Sequence, residues 1–207
     1  MRIVKEAAER RNEILDVAEE LFAIKGYDAT STNDILSRIG IARGTLYYHF
    51  ESKESILDAL IDRMTGGLLA KARTIAVQSD IPVVDRMVQS VMALNVDSRI
   101  GAEVMEQVHK PQNALMHQKM QENLLSGIVP IITNLVEEGI EEGLFQTDYP
   151  RQTVEMIMMY SSEAFDAHNV QTGEQLRERV YAFIYNTERL LCAKKGSLLE
   201  PMKKIFE

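Results

Sequence analysis

The stretch Ala42-Arg43-Gly44-Thr45-Leu46-Tyr47-Tyr48-His49-Phe50 holds the densest set of side chains able to bind another polar surface. Read as a short helix, it has one inward pair, Leu46 and Phe50, at the i, i+4 spacing that puts two side chains on one face. Arg43, Thr45, Tyr47, Tyr48 and His49 are left outside, and their guanidinium, hydroxyl and imidazole groups hydrogen-bond phosphates and nucleobase edges. Gly44 costs such a helix about 1 kcal/mol relative to alanine, a loss that makes sense where backbone must approach another surface closely, as in a groove. Just downstream, Ser52 can cap the next helix, which turns Lys53 and the positive helix end toward an anion.

Catalytic and metal chemistry find less to work with. His109 and His117 are eight residues apart with Pro111 between them, and Glu163 and Asp166 have no histidine on their face. No Ser/His/Asp set or glycine-rich phosphate loop is visible, so no cofactor and no metal are expected. Glu137, Glu138, Glu141 and Glu142 read as a solvated helix end. The single cysteine, Cys192, cannot form an internal disulfide and reads as buried packing.

The elements that must position the 42–50 stretch are helices. Apolar residues recur at three and four almost everywhere and strand signals are nearly absent, so the chain is expected to be all-α. Helices are expected at about 6–25, 33–39, 43–50, 53–78, 82–97, 100–109, 112–143, 151–169 and 173–195. Pro82, Pro111 and Pro150 fall where one periodic segment stops and another starts, whereas Pro130 lies inside the long run from Asn113 to Gly143 and predicts a kink. Gly66-Gly67 is the one candidate for a flexible joint. The first helix carries Ile14, Val17, Ala18, Leu21 and Phe22 on one stripe, and Gly26 ends it. Ser31 or Thr32 then caps a helix of barely two turns with Asp34 near its start, burying Ile35, Leu36 and Ile39, and Gly40 leads into the second short helix.

Composition sets an objection that this reading must meet. The 207 residues have a net charge of −8, and residues 1–60 hold eight Lys or Arg against eleven Asp or Glu, net −3. Bulk positive charge therefore cannot hold nucleic acid here. From Arg38 to Lys53, however, Glu51 is the only acid against Arg38, Arg43 and Lys53, and Arg2, Lys5, Arg10 and Arg11 can add a backbone-tracking arm. At 45% hydrophobic and 26% charged, the chain has an ordinary globular composition. With no apolar window of membrane-spanning length and no secretory signal, a cytoplasmic protein is expected.

Taken together, Ile14-Leu15-Asp16-Val17-Ala18, Leu21-Phe22, Gly26-Tyr27, Thr30-Ser31-Thr32, Asp34-Ile35, Gly40, Gly44 to Phe50 and Ser52-Lys53-Glu54 resemble the signature of the TetR family of regulators. The resemblance covers roughly residues 10–57. It implies an N-terminal three-helix helix-turn-helix over 1–55 and a helical ligand-binding and dimerisation domain over 56–207. It also implies a DNA-facing set of Thr32, Arg43, Gly44, Thr45, Tyr47, Tyr48, His49 and Lys53, with Tyr47 and Lys53 mainly on phosphates and Arg43, Thr45 and Tyr48 nearest bases. Ile41-Ala42 departs from the serine that many members carry before the recognition helix, which weakens contacts at 41 and 42 and points to a different base preference.

One recognition helix reads only a few base pairs, so a two-fold partner is expected. The last two long helices each have two apolar faces: Val154, Ile157, Met158, Ser161 and Phe165 against Met156, Met159 and Tyr160, then Leu176, Val180, Phe183, Ile184, Thr187 and Leu191 against Tyr181 and Tyr185. One face of each is expected in the chain's own core and the other in a four-helix dimer bundle. Methionine-rich 82–143 suits either a core or a pocket for flexible apolar ligands. The family resemblance favours the pocket, lined by Met87, Asn95, Met105, His109, Met116, Met120 and Tyr160. The expected function is repression, relieved when a small hydrophobic effector releases the homodimer from a pseudo-palindromic operator; the alternative is a carrier or enzyme using the same cavity.

Overall fold

A computed structural model of the chain describes residues 7–94, 111–166 and 172–206. Among these residues all regular structure is helical, without a strand. The α-helices are α1 (Ala7–Lys25), α2 (Thr32–Ile39), α3 (Arg43–His49), α4 (Lys53–Ala76), α5 (Val83–Met92), α6 (Ala114–Glu141), α7 (Pro150–Ala164), α8 (Glu174–Leu190) and α9 (Leu199–Lys203), with a 3-10 turn over Pro111–Asn113 before α6. No described helix is long and apolar enough to cross a membrane. The expected helix at 100–109 and the candidates Asn95, Met105 and His109 lie outside the described residues.

The chain divides into two compact units, and the divisions fall between Thr65 and Gly66 within α4 and between Met120 and Gln121 within α6. The first unit holds α1 to α3, the start of α4, and residues 111–120. Its interior is built from Ile14, Leu15, Ala18 and Phe22 of α1, Ile35 of α2, Leu46 and Phe50 of α3, and Ile56, Leu57 and Leu60 of α4, all buried. Burying each such side chain stabilises by about 1.5–3 kcal/mol, which is how helices as short as α2 and α3 persist. Leu36 and Ile39 are only half-buried. Ser31, rather than Thr32, caps α2 in a reciprocal box with Asp34.

The second unit packs Leu69, Val83, Val88, Ile128, Ile132, Val136, Val154, Met158, Phe183 and Ile184 into one core. Gly127 of α6 lets Leu69 of α4 approach, because an added Cβ would overlap that side chain. Buried Arg86 pairs with Glu138 and donates to the carbonyls of Ala76 and Ile81 at 2.9 Å each, tying α5 to α6 and to the end of α4. Helix α6 runs through Pro130 without interruption. Pro130 is exposed, so the donor it lacks leaves a carbonyl within reach of water.

The two-faced pattern of the last long helices is visible directly. Val154, Met158, Val180, Phe183, Ile184 and Leu191 point into the core, while Met156, Met159, Tyr160, Tyr181 and Tyr185 are exposed. Helix α8 stops at Leu190, short of the expected 195, and the chain returns through α9. The buried Glu188 carboxylate accepts the backbone N–H groups of Gly196 and Leu198, 2.9 Å each, and holds that return in place. Cys192 is a correction: it is exposed, not packed inside, because α8 has already ended and the residue sits in the following turn with φ 48°.

Candidate nucleic-acid interface

The outer face of α3 is built by anchoring its inner one. Leu46 and Phe50 are buried, which leaves Arg43, Gly44, Tyr47 and Tyr48 exposed and Thr45 and His49 half-buried. Tyr48 is 77% exposed and meets His49 edge-on at 5.0 Å. A tyrosine that keeps most of its ring in water has no packing role within the chain. Gly44 likewise answers to nothing inside the protein, since an added Cβ would meet no atom within 4 Å.

Two further residues of the expected set are tied to this face. The neighbouring Arg43 and Thr32 side chains lower the affinity of the Tyr47 phenol for its proton. The Arg43 guanidinium also lies 5.5 Å from the Tyr47 ring centroid, within the range of cation–π attraction. This contact keeps Arg43 beside the exposed tyrosines.

Lys53 departs from expectation. Its ammonium points inward, donating to the carbonyls of Tyr27 at 2.8 Å and Thr30 at 2.9 Å, with Asp28 at 3.5 Å, and it sits 4.1 Å from the Tyr27 ring centroid. An ammonium has three protons, and this one clamps the turn between α1 and α2 through backbone carbonyls. Ser52 does cap α4, accepting from the Ser55 N–H at 3.0 Å, while Ser55 returns the bond.

The charge of this unit is mostly spent internally. Lys25 pairs with Asp34, Arg38 with Glu20, Arg63 with Asp16 and Glu19, Arg10 with Glu13, and Lys119 with Glu54 and Asp58. Lys25 and Ser31 hold the Asp34 carboxyl well below the usual carboxylate range. The two carboxylates around Lys119 push its ammonium's pKa upward. Among the described arginines of the unit, Arg11 and Arg43 lie against aromatic rings, Arg11 4.8 Å from the Phe50 centroid at the end of α3. Sequence reading grouped Arg10 with Arg11; the structure separates them.

The described members of the expected effector-lining set, Met87, Met116, Met120 and Tyr160, are divided between the two units. Met116 and Met120 are buried in the first, in the opening turns of α6 just after Asn113, whereas Met87 packs against the core of the second. Tyr160 is more than half exposed beside Met156 and Met159, stacked on Phe183 at 5.9 Å, and so lies on an outer face. Among the described residues no group of three or more His, Cys, Asp or Glu side chains is placed to hold a metal ion. Asn113 and Lys119 were missed from sequence, and no local pattern marks them.

Comparison with known proteins agrees with this geometry. Residues 14–60 match the profile of bacterial regulatory proteins of the tetR family, and residues 97–184 match a tetracyclin repressor-like C-terminal domain. The HTH-type transcriptional repressor KstR2 of Mycobacterium tuberculosis is 30% identical over 150 residues, 71% of this chain and 74% of the relative. KstR2 of Rhodococcus jostii is 46% identical over 66 residues, 32% of each protein. Among solved structures, RolR in complex with resorcinol superposes with a TM-score of 0.59 at 15% identity, covering 97% of this chain and 94% of that one.

Proposed function

Because this chain belongs to the tetR family of bacterial regulatory proteins, a family of transcriptional regulators and not of enzymes, we propose that it is a dimeric repressor whose α3 enters the major groove of an operator and which a small apolar effector releases. The observation that carries the reading is the division of α3 into a buried side, Leu46 and Phe50, and an uncovered side led by Tyr48. Arg43, Thr45 and Tyr48 read base edges in this proposal, while Tyr47, beside Arg43, and His49 flank them. The open space around Gly44 supports close approach of DNA backbone at that point.

The dimer forms through the outer faces of α7 and α8, where Met156, Met159, Tyr160, Tyr181 and Tyr185 are exposed in the single chain. Two copies there make a four-helix bundle and present two recognition helices to half-sites about 34–36 Å apart or a multiple of that distance. The effector binds within residues 56–207, where Met87, Met116 and Met120 are the described apolar candidates and Asn95, Met105 and His109 remain candidates as well. RolR's complex with resorcinol and the repressor relatives are consistent with such a mode of control. The effector acts by binding the DNA-incompetent arrangement more tightly, so that effector and operator weaken each other reciprocally.

The test is selection of duplexes from a random library by the full-length protein, followed by fluorescence anisotropy on the selected sequence. Tyr48→Ala is expected to weaken binding at least tenfold without changing the circular dichroism spectrum. Failure to enrich any sequence at low salt, or wild-type affinity in Tyr48→Ala, overturns the assignment.

A further inference from the structure

The turn between α1 and α2, residues 26–30, decides where the helix-turn-helix begins, and it is held from three directions. From within, the Thr30 hydroxyl donates to the Gly26 carbonyl at 2.8 Å. From α4, the Lys53 ammonium takes the carbonyls of Tyr27 and Thr30. The third hold comes from far along the chain. Asn113 accepts the Tyr27 N–H on its Oδ1 at 2.9 Å and donates from Nδ2 to the Phe22 carbonyl at 3.2 Å. Both backbone groups of Tyr27 are therefore occupied by side chains from other elements.

The local sequence is fitted to this contact. Gly26 has φ 86°, and a Cβ built on it would lie 2.6 Å from Cγ of Gln112, so the turn is open enough for residues 112–113 to sit against it. Asn113 is 1% exposed, and a fully buried primary amide is stable only with partners for its donor and acceptor. Lys119, two turns into α6, then bridges Glu54 and Asp58 at 3.0 and 2.7 Å and fixes the same segment to the start of α4.

We propose that Asn113, which stands outside the helix-turn-helix in sequence, is a positioning residue for operator binding: its amide joins the end of α1 to the 26–30 turn and so sets the placement of α2 and α3. The route is short. The turn runs directly into Ser31, the cap of α2, and α2 leads through Gly40 into α3. Losing the Asn113 amide takes the acceptor from the Tyr27 N–H and leaves the Phe22 carbonyl with the Gly26 N–H at 3.0 Å, and a change of direction at this turn is carried to every residue on the outer face of α3. The proposal rests on the reading of α3 as the DNA-binding helix and adds to it a residue that touches no DNA.

The experiment compares full-length wild type, Asn113→Ala and Asn113→Asp on the selected duplex. Amide hydrogen exchange is followed in parallel. For Asn113→Ala we expect at least tenfold weaker binding, with faster exchange at 26–30 and 42–50 and unchanged exchange in α8. Asn113→Asp keeps the size of the side chain and the acceptor for Tyr27, but at pH 8 its carboxylate opposes the Phe22 carbonyl. Burial as complete as that of Asn113 raises the pKa of a carboxyl placed there, so at pH 5.5 it is protonated and restores a donor, and its affinity relative to wild type at the same pH is expected to recover to within about threefold. The charged and titratable groups around the turn, namely Tyr27, Asp28, Lys53, Glu54, Asp58 and Lys119, are common to both proteins and cancel in that ratio.

Asn113→Ala affinity within twofold of wild type overturns the proposal. So does a loss of affinity with exchange accelerated equally in α8, or an Asn113→Asp ratio that stays low at both pH values. Absence of any DNA binding by wild type would instead refute the proposed function, and exchange at Tyr27 would still report whether Asn113 holds the turn.

Discussion

Replacing Lys53 with methionine separates two roles that a lysine at this position can play. The side-chain stem is kept and the ammonium is removed. In the structure that ammonium makes charge-assisted bonds of 2.8 and 2.9 Å to the carbonyls of Tyr27 and Thr30 and lies 4.1 Å from the Tyr27 ring centroid. Hydrogen bonds to a charged group contribute about 1.5–3 kcal/mol each when buried and less when water competes, so about 2–3 kcal/mol in total is a reasonable sum for this half-buried site. For a chain of this length that is a fall in Tm of roughly 4–12 °C, read by circular dichroism.

Operator affinity should fall as well, but its salt dependence should not change. Each phosphate neutralised contributes about −0.9 to the slope of log K against log salt, so loss of a phosphate contact from both protomers would make the slope shallower by about 1.8. A clamp leaves the slope as it was. An unchanged Tm together with a slope shallower by about 1.8 would refute the inward role of Lys53 and return it to the phosphate backbone.

Gly44→Ala should raise stability by up to about 1 kcal/mol, because nothing in the chain obstructs a methyl group there, while lowering operator affinity at least tenfold; a stabilised variant that binds DNA normally would remove the groove argument for this glycine. Arg11→Gln should make the salt slope shallower by about 1.8, which between 50 and 200 mM salt is about a tenfold difference in relative affinity, whereas Arg10→Gln should leave it unchanged, since Arg10 is already paired with Glu13. Equal slopes for the two variants would show that the pairing does not matter. Met159→Lys combined with Tyr185→Glu places charge on the uncovered faces of α7 and α8 and should yield monomers in sedimentation, with at least hundredfold weaker operator binding; an intact dimer would move the interface elsewhere.

What the sequence determined by itself was set by neighbours along the chain. The cap at Ser31 with Asp34, the glycine after α2, the Leu46 and Phe50 anchors and the exposed tyrosines between them all depend on separations of three or four residues, which helix geometry fixes in advance. The same periodicity marked two faces on α7 and α8. Tertiary structure alone decided the direction of the Lys53 ammonium, the split between Arg10 and Arg11, the burial of Met116 and Met120 in the N-terminal unit, and the amide of Asn113 on Phe22 and Tyr27. Those contacts span up to 91 residues. No local pattern specifies them, because a lysine or an asparagine reaches whichever carbonyl the packing of other helices leaves within a hydrogen bond's length.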